Sequence, residues 1–161
     1  MKGDKKVIEY LNRGLRKELT AISQYFLHSR LADDWGFAKL SKKEYEESID
    51  EMHHADQFIQ RILFLGGLPN LQELEKLRIG ENVREVFECD LAGEYDGLEL
   101  YREAAAYCDS VKDFATRELF VKIIADEEGH VDWLETQLDL MNRVGEQNYL
   151  QTLMGEDGES E

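Results

Sequence analysis

One proline, Pro69, stands in 161 residues. Proline breaks helices more strongly than any other residue, and the rest of the chain is rich in Leu, Glu, Ala and Lys, so long helices can run on either side of it. Four stretches carry helical stripes. In the first, Leu11, Leu15, Glu18, Ile22, Tyr25 and Ser29 recur at steps of three and four, with Asp4 placed to cap the start and Gly36 beyond the end. This predicts a helix over about 5–34. The second opens at Ser41, with Glu44 three residues later as in a capping box, and closes at Gly66-Gly67, predicting a helix over about 42–65. Asn82 and Glu85 repeat the capping pattern before a stripe of Phe87, Leu91, Glu94, Leu98, Tyr101, Ala105 and Cys108. The fourth stretch, 113–144, carries Phe120, Ile123, Glu127, Val131, Leu134, Leu138 and Met141. No segment alternates with period two over a useful length, so the class is all-α.

The connections choose the topology. Residues 34–41 and 109–113 are short, making helices one and two, and three and four, antiparallel neighbours. Residues 67–81 can span about 50 Å at ~3.3 Å each, more than the ~42 Å of a helix of ~28 residues. That segment can cross the whole bundle, giving an up-down-down-up four-helix bundle with one long crossover, the ferritin-like arrangement. A short fifth helix is expected over 147–154. The bundle is expected to take residues 1–155, and residues 156–161, four of them acidic, to form a disordered acidic tail.

Net charge is 19 − 35 = −16, with 42% hydrophobic residues, enough for one core. Such acidity repels nucleic acid. No apolar run approaches the ~18 residues of a membrane span, and MKGDKKVIEY lacks the apolar stretch of a signal peptide, so a cytoplasmic protein is expected. Two separated cysteines, Cys89 and Cys108, make no disulfide framework and fit a reducing compartment.

The chemistry lies in a repeat. Glu51 and His54, and Glu127 and His130, are each a Glu with a His three residues on, so both side chains of a pair share a helix face. Glu18 precedes the first pair, and Glu94 the second, by 33 residues, so the set repeats with an offset of 76. The same offset relates Tyr25 to Tyr101, Leu15 to Leu91 and Asp50 to Asp126, as in a duplicated helical hairpin. All four Glu sit within apolar stripes, and unpaired carboxylates in a core cost several kcal/mol each, so cations or protons are needed beside them. One Glu from each of two helices plus Glu-x-x-His from each of the other two is the di-iron or di-manganese carboxylate pattern of bundle proteins. Oxygen and imidazole donors without thiolate suit either metal. Glu51 and Glu127 are assigned as bridges, Glu18 and Glu94 as terminal ligands, and His54 and His130 as the nitrogen ligands. Asp50 and Asp126 are candidate partners for the other N–H of the two His.

Met52 lies about 100° off the metal face, on a second apolar stripe with Tyr45, Ile49, Ile59 and Leu63; Leu19, Ile22 and Phe26 form a similar stripe on helix one. A helix apolar on two faces needs a partner outside the bundle. The residues leave two readings of Met52 open: dimer packing, or a thioether that clamps a haem with its twofold mate.

The segments ELTAISQYF, ESIDEMHHAD, RILFLGGLPNLQ, CDLAGEYDG and DEEGHVDWLE closely resemble the bacterioferritin family, and the likeness runs over essentially the whole chain. The resemblance implies a homo-oligomeric shell of about 24 subunits built from twofold dimers. It further implies iron storage, ferroxidase activity with O2 or H2O2 at a di-iron centre, and b-type haem shared by two subunits. Its di-iron ligands fall on Glu18, Glu51, His54, Glu94, Glu127 and His130, its haem ligand on Met52, and an electron-supplying tyrosine on Tyr25. Leu19, Ile22, Phe26, Tyr45 and Ile49 would then line the haem pocket, and a ferredoxin-type donor would reduce the stored mineral. An inner-surface iron site of some members uses a histidine where this chain has Glu46, beside Glu47 and Asp50. A di-iron peroxidase or oxygenase that stores no metal, and a purely structural bundle, are the rival readings.

Overall fold

The computed structural model describes residues 1–155 and contains five helices: α1 (Lys5–Asp34), α2 (Ala38–Phe64), α3 (Val83–Ser110), α4 (Phe114–Val144) and α5 (Glu146–Gln151). The expected acidic tail, 156–161, lies outside the described residues. α1 packs along α2 and α3 along α4, with α1 against α3 and α2 against α4 closing the bundle. The architecture is the expected up-down-down-up bundle. Among the described residues no helix is long and apolar enough to cross a membrane.

Three helix starts follow from local chemistry. Asp4 accepts from the amides of Lys6 and Val7, Asn82 from that of Glu85, and Asp113 from that of Thr116, each satisfying an orphan N–H of a first turn. α2 corrects the expectation. It begins at Ala38, one turn before Ser41, and has no side-chain cap. The amide of Lys39 instead donates to the Leu153 carbonyl at 2.9 Å, so the C-terminal segment satisfies what a capping side chain would have. Ser41 and Glu44 are therefore buried inside the helix rather than at its mouth. α5 ends three residues short of expectation; Tyr149 on it and Leu153 just beyond it join a cluster with Ala32, Leu40, Phe87 and Leu134.

The crossover, residues 65–82, has no regular structure, so its amides need partners elsewhere. α1 provides them from one stripe. Asn12 Oδ1 accepts from the Asn70 amide, Thr20 Oγ1 from Glu75, Gln24 Oε1 from Arg78 and His28 Nε2 from Gly80, at 2.9–3.0 Å. Steps of eight, four and four keep these side chains on one face, and the loop is strapped along the bundle's length. At Gly80 the strap presses on α3: a Cβ there would come within 2.4 Å of the Val86 nitrogen, so only glycine fits.

The larger apolar cluster holds Leu11, Leu15, Phe58, Tyr101, Phe120 and Ile123, with the C-terminal cluster at the opposite end; buried polar side chains lie between them.

Candidate metal centre

Glu18, Glu51, His54, Glu94, Glu127 and His130 are all buried, and they meet at mid-bundle in two sets. One set is Glu18, Glu51, His54 and Glu127; the other is Glu51, Glu94, Glu127 and His130. Within each set the candidate donor atoms lie within 4.8 Å of one another. Glu51 and Glu127 belong to both sets, which is the placement a bridging carboxylate needs. Each of the four long helices supplies at least one donor, because a stripe residue at the middle of each helix points at the bundle axis.

The electrostatics are those of an over-full anionic site. His54 Nδ1 lies 2.9 Å from Glu127 Oε1, 3.7 Å from Glu18 and 3.8 Å from Glu51. The 2.9 Å contact is not aligned as a hydrogen bond, and we read it as an ion pair. Burial opposes charge on His54, but Glu127 and Glu18 outweigh burial and push its pKa up to about 11. Burial and the charge of Glu127 raise Glu18 to about 7, against the pull of His54 and the Tyr101 hydroxyl. Glu18 Oε2 and His130 Nε2 are buried with no hydrogen-bond partner among the described residues, and Glu127 Oε1 has only its ion pair with His54. Atoms left so at the convergence of four carboxylates are what a cation would satisfy, and two divalent ions would balance four negative charges.

Two cavities reach the centre from opposite sides. One, of 610 Å³, lies between α1, α3 and the crossover and is floored by the four Glu. The other, of 440 Å³, lies between α2 and α4 beside His54 and His130, with Asp50 and Asp126 in its wall.

The remaining predicted residues divide. Tyr25 is buried, donates to Glu94 Oε1 and stands edge-on to His130 at 5.4 Å between centroids. Asp126 contacts His54 Nε2 at 3.0 Å. The repeat would pair Asp50 with His130 in the same way, yet Asp50 is exposed and His130 Nε2 has no partner. Glu47 is buried and lies 3.5 Å from His130 Nδ1, tied to Lys43 at 2.9 Å, whereas Glu46 is exposed. Met52 is 50% exposed, with Phe26 and Tyr45 exposed and Leu19, Ile22 and Ile49 half-buried on the α1–α2 face. Arg30 spans the rings of Phe26 and Tyr45 at 5.1 and 5.6 Å.

Two features escaped the sequence reading. Tyr101 donates to Glu18 Oε1 at 2.6 Å; its place in the repeat opposite Tyr25 was the available signal. The second is a fully buried group of His28, Glu44 and Asp90. Because His28 Nε2 accepts the Gly80 amide, its proton sits on Nδ1 and is given to Asp90 Oδ1 at 2.9 Å, where Gln24 Nε2 also donates at 3.0 Å. His28 Nδ1 is thus unavailable to a metal. Burial, then the charge of Asp90 and a hydrogen bond to it, raise Glu44 well above the carboxylate range, so Glu44 keeps a proton. Glu44 Oε2 and Asp90 Oδ2 are the two oxygens of the group with no hydrogen-bond partner among the described residues.

The ferritin-like domain model matches residues 8–144. The chain is 62% identical to a bacterioferritin of Rhodobacter capsulatus and 56% identical to one of Brucella melitensis, in each case over 92% of both chains. A bacterioferritin of Mycobacterium tuberculosis is 50% identical over 92% of this chain and 94% of its own length. A solved structure of the Rhodobacter capsulatus bacterioferritin, described as having a metal-free dinuclear site and haem iron in a crystallographic special position, superposes with a TM-score of 0.96. It is 59% identical, over 98% of this chain and 99% of that one. With the bundle, the crossover and the paired Glu and His sets in place, the chain belongs to the ferritin-like family and, within it, to the bacterioferritins.

Proposed function

We propose that the chain is the ferroxidase subunit of an iron-storing shell. The observation that carries this is the pair of overlapping donor sets sharing Glu51 and Glu127. Fe(II) is the substrate: two ions bind side by side, Glu51 and Glu127 bridging them, with Glu18 and His54 on one and Glu94 and His130 on the other. Each ion gives one electron to the oxidant. H2O2 takes both electrons with two protons and leaves as two waters; O2 takes four electrons over the full reaction. His54 must lose its proton to bind metal, so metal entry and proton release are linked at this residue. Asp126, on the far nitrogen of His54, orients the ring and receives its remaining N–H. The product is ferric mineral held inside a closed homo-oligomer of about 24 chains, for which twofold dimers are the building step.

The exposed thioether of Met52, ringed by exposed or half-buried apolar side chains, fits a haem ligand at a twofold axis. A b-type haem held there by Met52 from two chains, with Leu19, Ile22, Phe26, Tyr45 and Ile49 as the apolar wall, would supply one-electron transfer between a ferredoxin-type donor and the mineral. The cytoplasm, where Cys89 and Cys108 stay as thiols, is the compartment this chemistry suits. Glu18→Ala and Glu94→Ala should each abolish the fast phase of Fe(II) oxidation in stopped-flow absorbance. Fast oxidation unchanged in both variants would overturn the assignment.

A further inference from the structure

We propose that Tyr101 is a positioning residue of the metal centre, holding Glu18 so that one oxygen is spoken for and the other is free for the metal beside His54. The inference rests on the two-metal reading above. Tyr101 on α3 donates to Glu18 on α1, and Tyr25 on α1 donates to Glu94 on α3, a reciprocal exchange that follows from the offset of 76. The hydroxyl takes Glu18 Oε1 at 2.6 Å, while Glu18 Oε2 is buried and has no partner.

Packing decides where the hydroxyl points. The Tyr101 ring closes a triangle with Phe58 and Phe120, at centroid distances of 5.7 and 5.9 Å, the two phenyl rings being 5.4 Å apart. It lies against Gly14, where a Cβ would come within 3.0 Å of Phe58 and 3.3 Å of Tyr101. The Gly14 carbonyl is the other acceptor, at a long 3.4 Å. A buried hydroxyl needs a partner, and the ring cannot swing to find another. Glu18 is thereby kept from turning both oxygens to one ion.

The two halves of the centre are not equivalent. Tyr25 touches the His130 ring, and Glu94 Oε1 also receives His130 Nδ1 at 3.0 Å. Tyr101 has no such contact, so its influence is confined to the half-site of Glu18 and His54. Groups that orient a ligand typically change metal affinity by about 10–100-fold when removed.

The test is Co(II) binding to the metal-free full-length protein, followed by visible absorption. Wild type should bind two Co(II) per chain. Tyr101→Phe, which keeps the ring, should weaken one of the two sites by about 10–100-fold and alter that site's absorption band. In a His130→Ala background, where the His54 half-site binds alone, the same weakening should appear on the remaining ion. Tyr101→Phe that binds two Co(II) with wild-type affinity and spectrum overturns the proposal, and so does equal weakening of both sites. Wild type that takes no Co(II) overturns the two-metal reading itself, and the role of Tyr101 with it.

Discussion

The buried group at one end of the bundle offers a quantitative test of how the crossover is held. Asp90 accepts hydrogen bonds from Gln24 and His28, and Glu44 reaches it with its own proton. Asp90→Ala removes the acceptor from three buried groups, each left at a cost of about 1–3 kcal/mol, so local stability should fall by at least about 3 kcal/mol. The Gly80 amide reports the loss, because its partner is His28 Nε2. At 1.36 kcal/mol per factor of ten, about 3 kcal/mol corresponds to amide exchange roughly 100-fold faster. Hydrogen–deuterium exchange read by mass spectrometry on a peptide covering 75–82 measures this on the assembled protein. Glu44→Gln keeps a neutral donor facing Asp90 and should change the same exchange by no more than about threefold, a cost under 1 kcal/mol. Unchanged exchange in Asp90→Ala would refute the network. Equal acceleration in Glu44→Gln would refute the proton on Glu44.

Protons should leave when metal binds. Near pH 6 both His54, at about 11, and Glu18, at about 7, hold protons, whereas near pH 8.5 Glu18 is already ionised, so binding should release at least about one proton per chain more at the lower pH. Affinity then climbs with pH, more steeply below pH 7 than above it, and calorimetry in buffers of different ionisation enthalpy counts the protons; a count independent of pH would contradict the two assignments. Gly14→Ala forces a Cβ against Phe58 and Tyr101 and should cost about 1–3 kcal/mol, read as a lower midpoint in thermal unfolding. Met52→Leu should remove the Soret band of haem-loaded protein while leaving the fast oxidation of Fe(II) intact.

Helical stripes and loop lengths made most of the fold legible, and the offset of 76 made the convergence of the six Glu and His legible, because a duplicated hairpin repeats its inward-facing polar residues along with its core stripe. What it hid is where the duplication breaks. Adding or subtracting 76 carries Glu44 to Phe120, His28 to Ala104 and Asp90 to Gly14, all of them apolar or small. The crossover is strapped along α1, and its Gly80 amide takes His28 as its acceptor, a demand with no counterpart 76 residues on, so polar residues replace apolar ones there. No periodicity reveals this, since the three residues come from three helices. Ser41 and Glu44 misled for a related reason: their spacing fits a capping box, but α2 starts a turn earlier by borrowing the Leu153 carbonyl, a partner more than 100 residues away. The asymmetry of Asp126 and Asp50 is likewise tertiary. Tyr101, by contrast, was legible in the repeat, and only its hydrogen bond to Glu18 gives it a role.

The most direct test of the central claim is an anaerobic titration of metal-free protein with Fe(II), each addition then exposed to H2O2 and read by ferric absorbance in the stopped-flow. Two overlapping donor sets per chain predict that the amplitude of the fast phase rises linearly and breaks at two Fe(II) per chain. A break at one, or a fast phase that never saturates, would contradict a paired site built on Glu51 and Glu127.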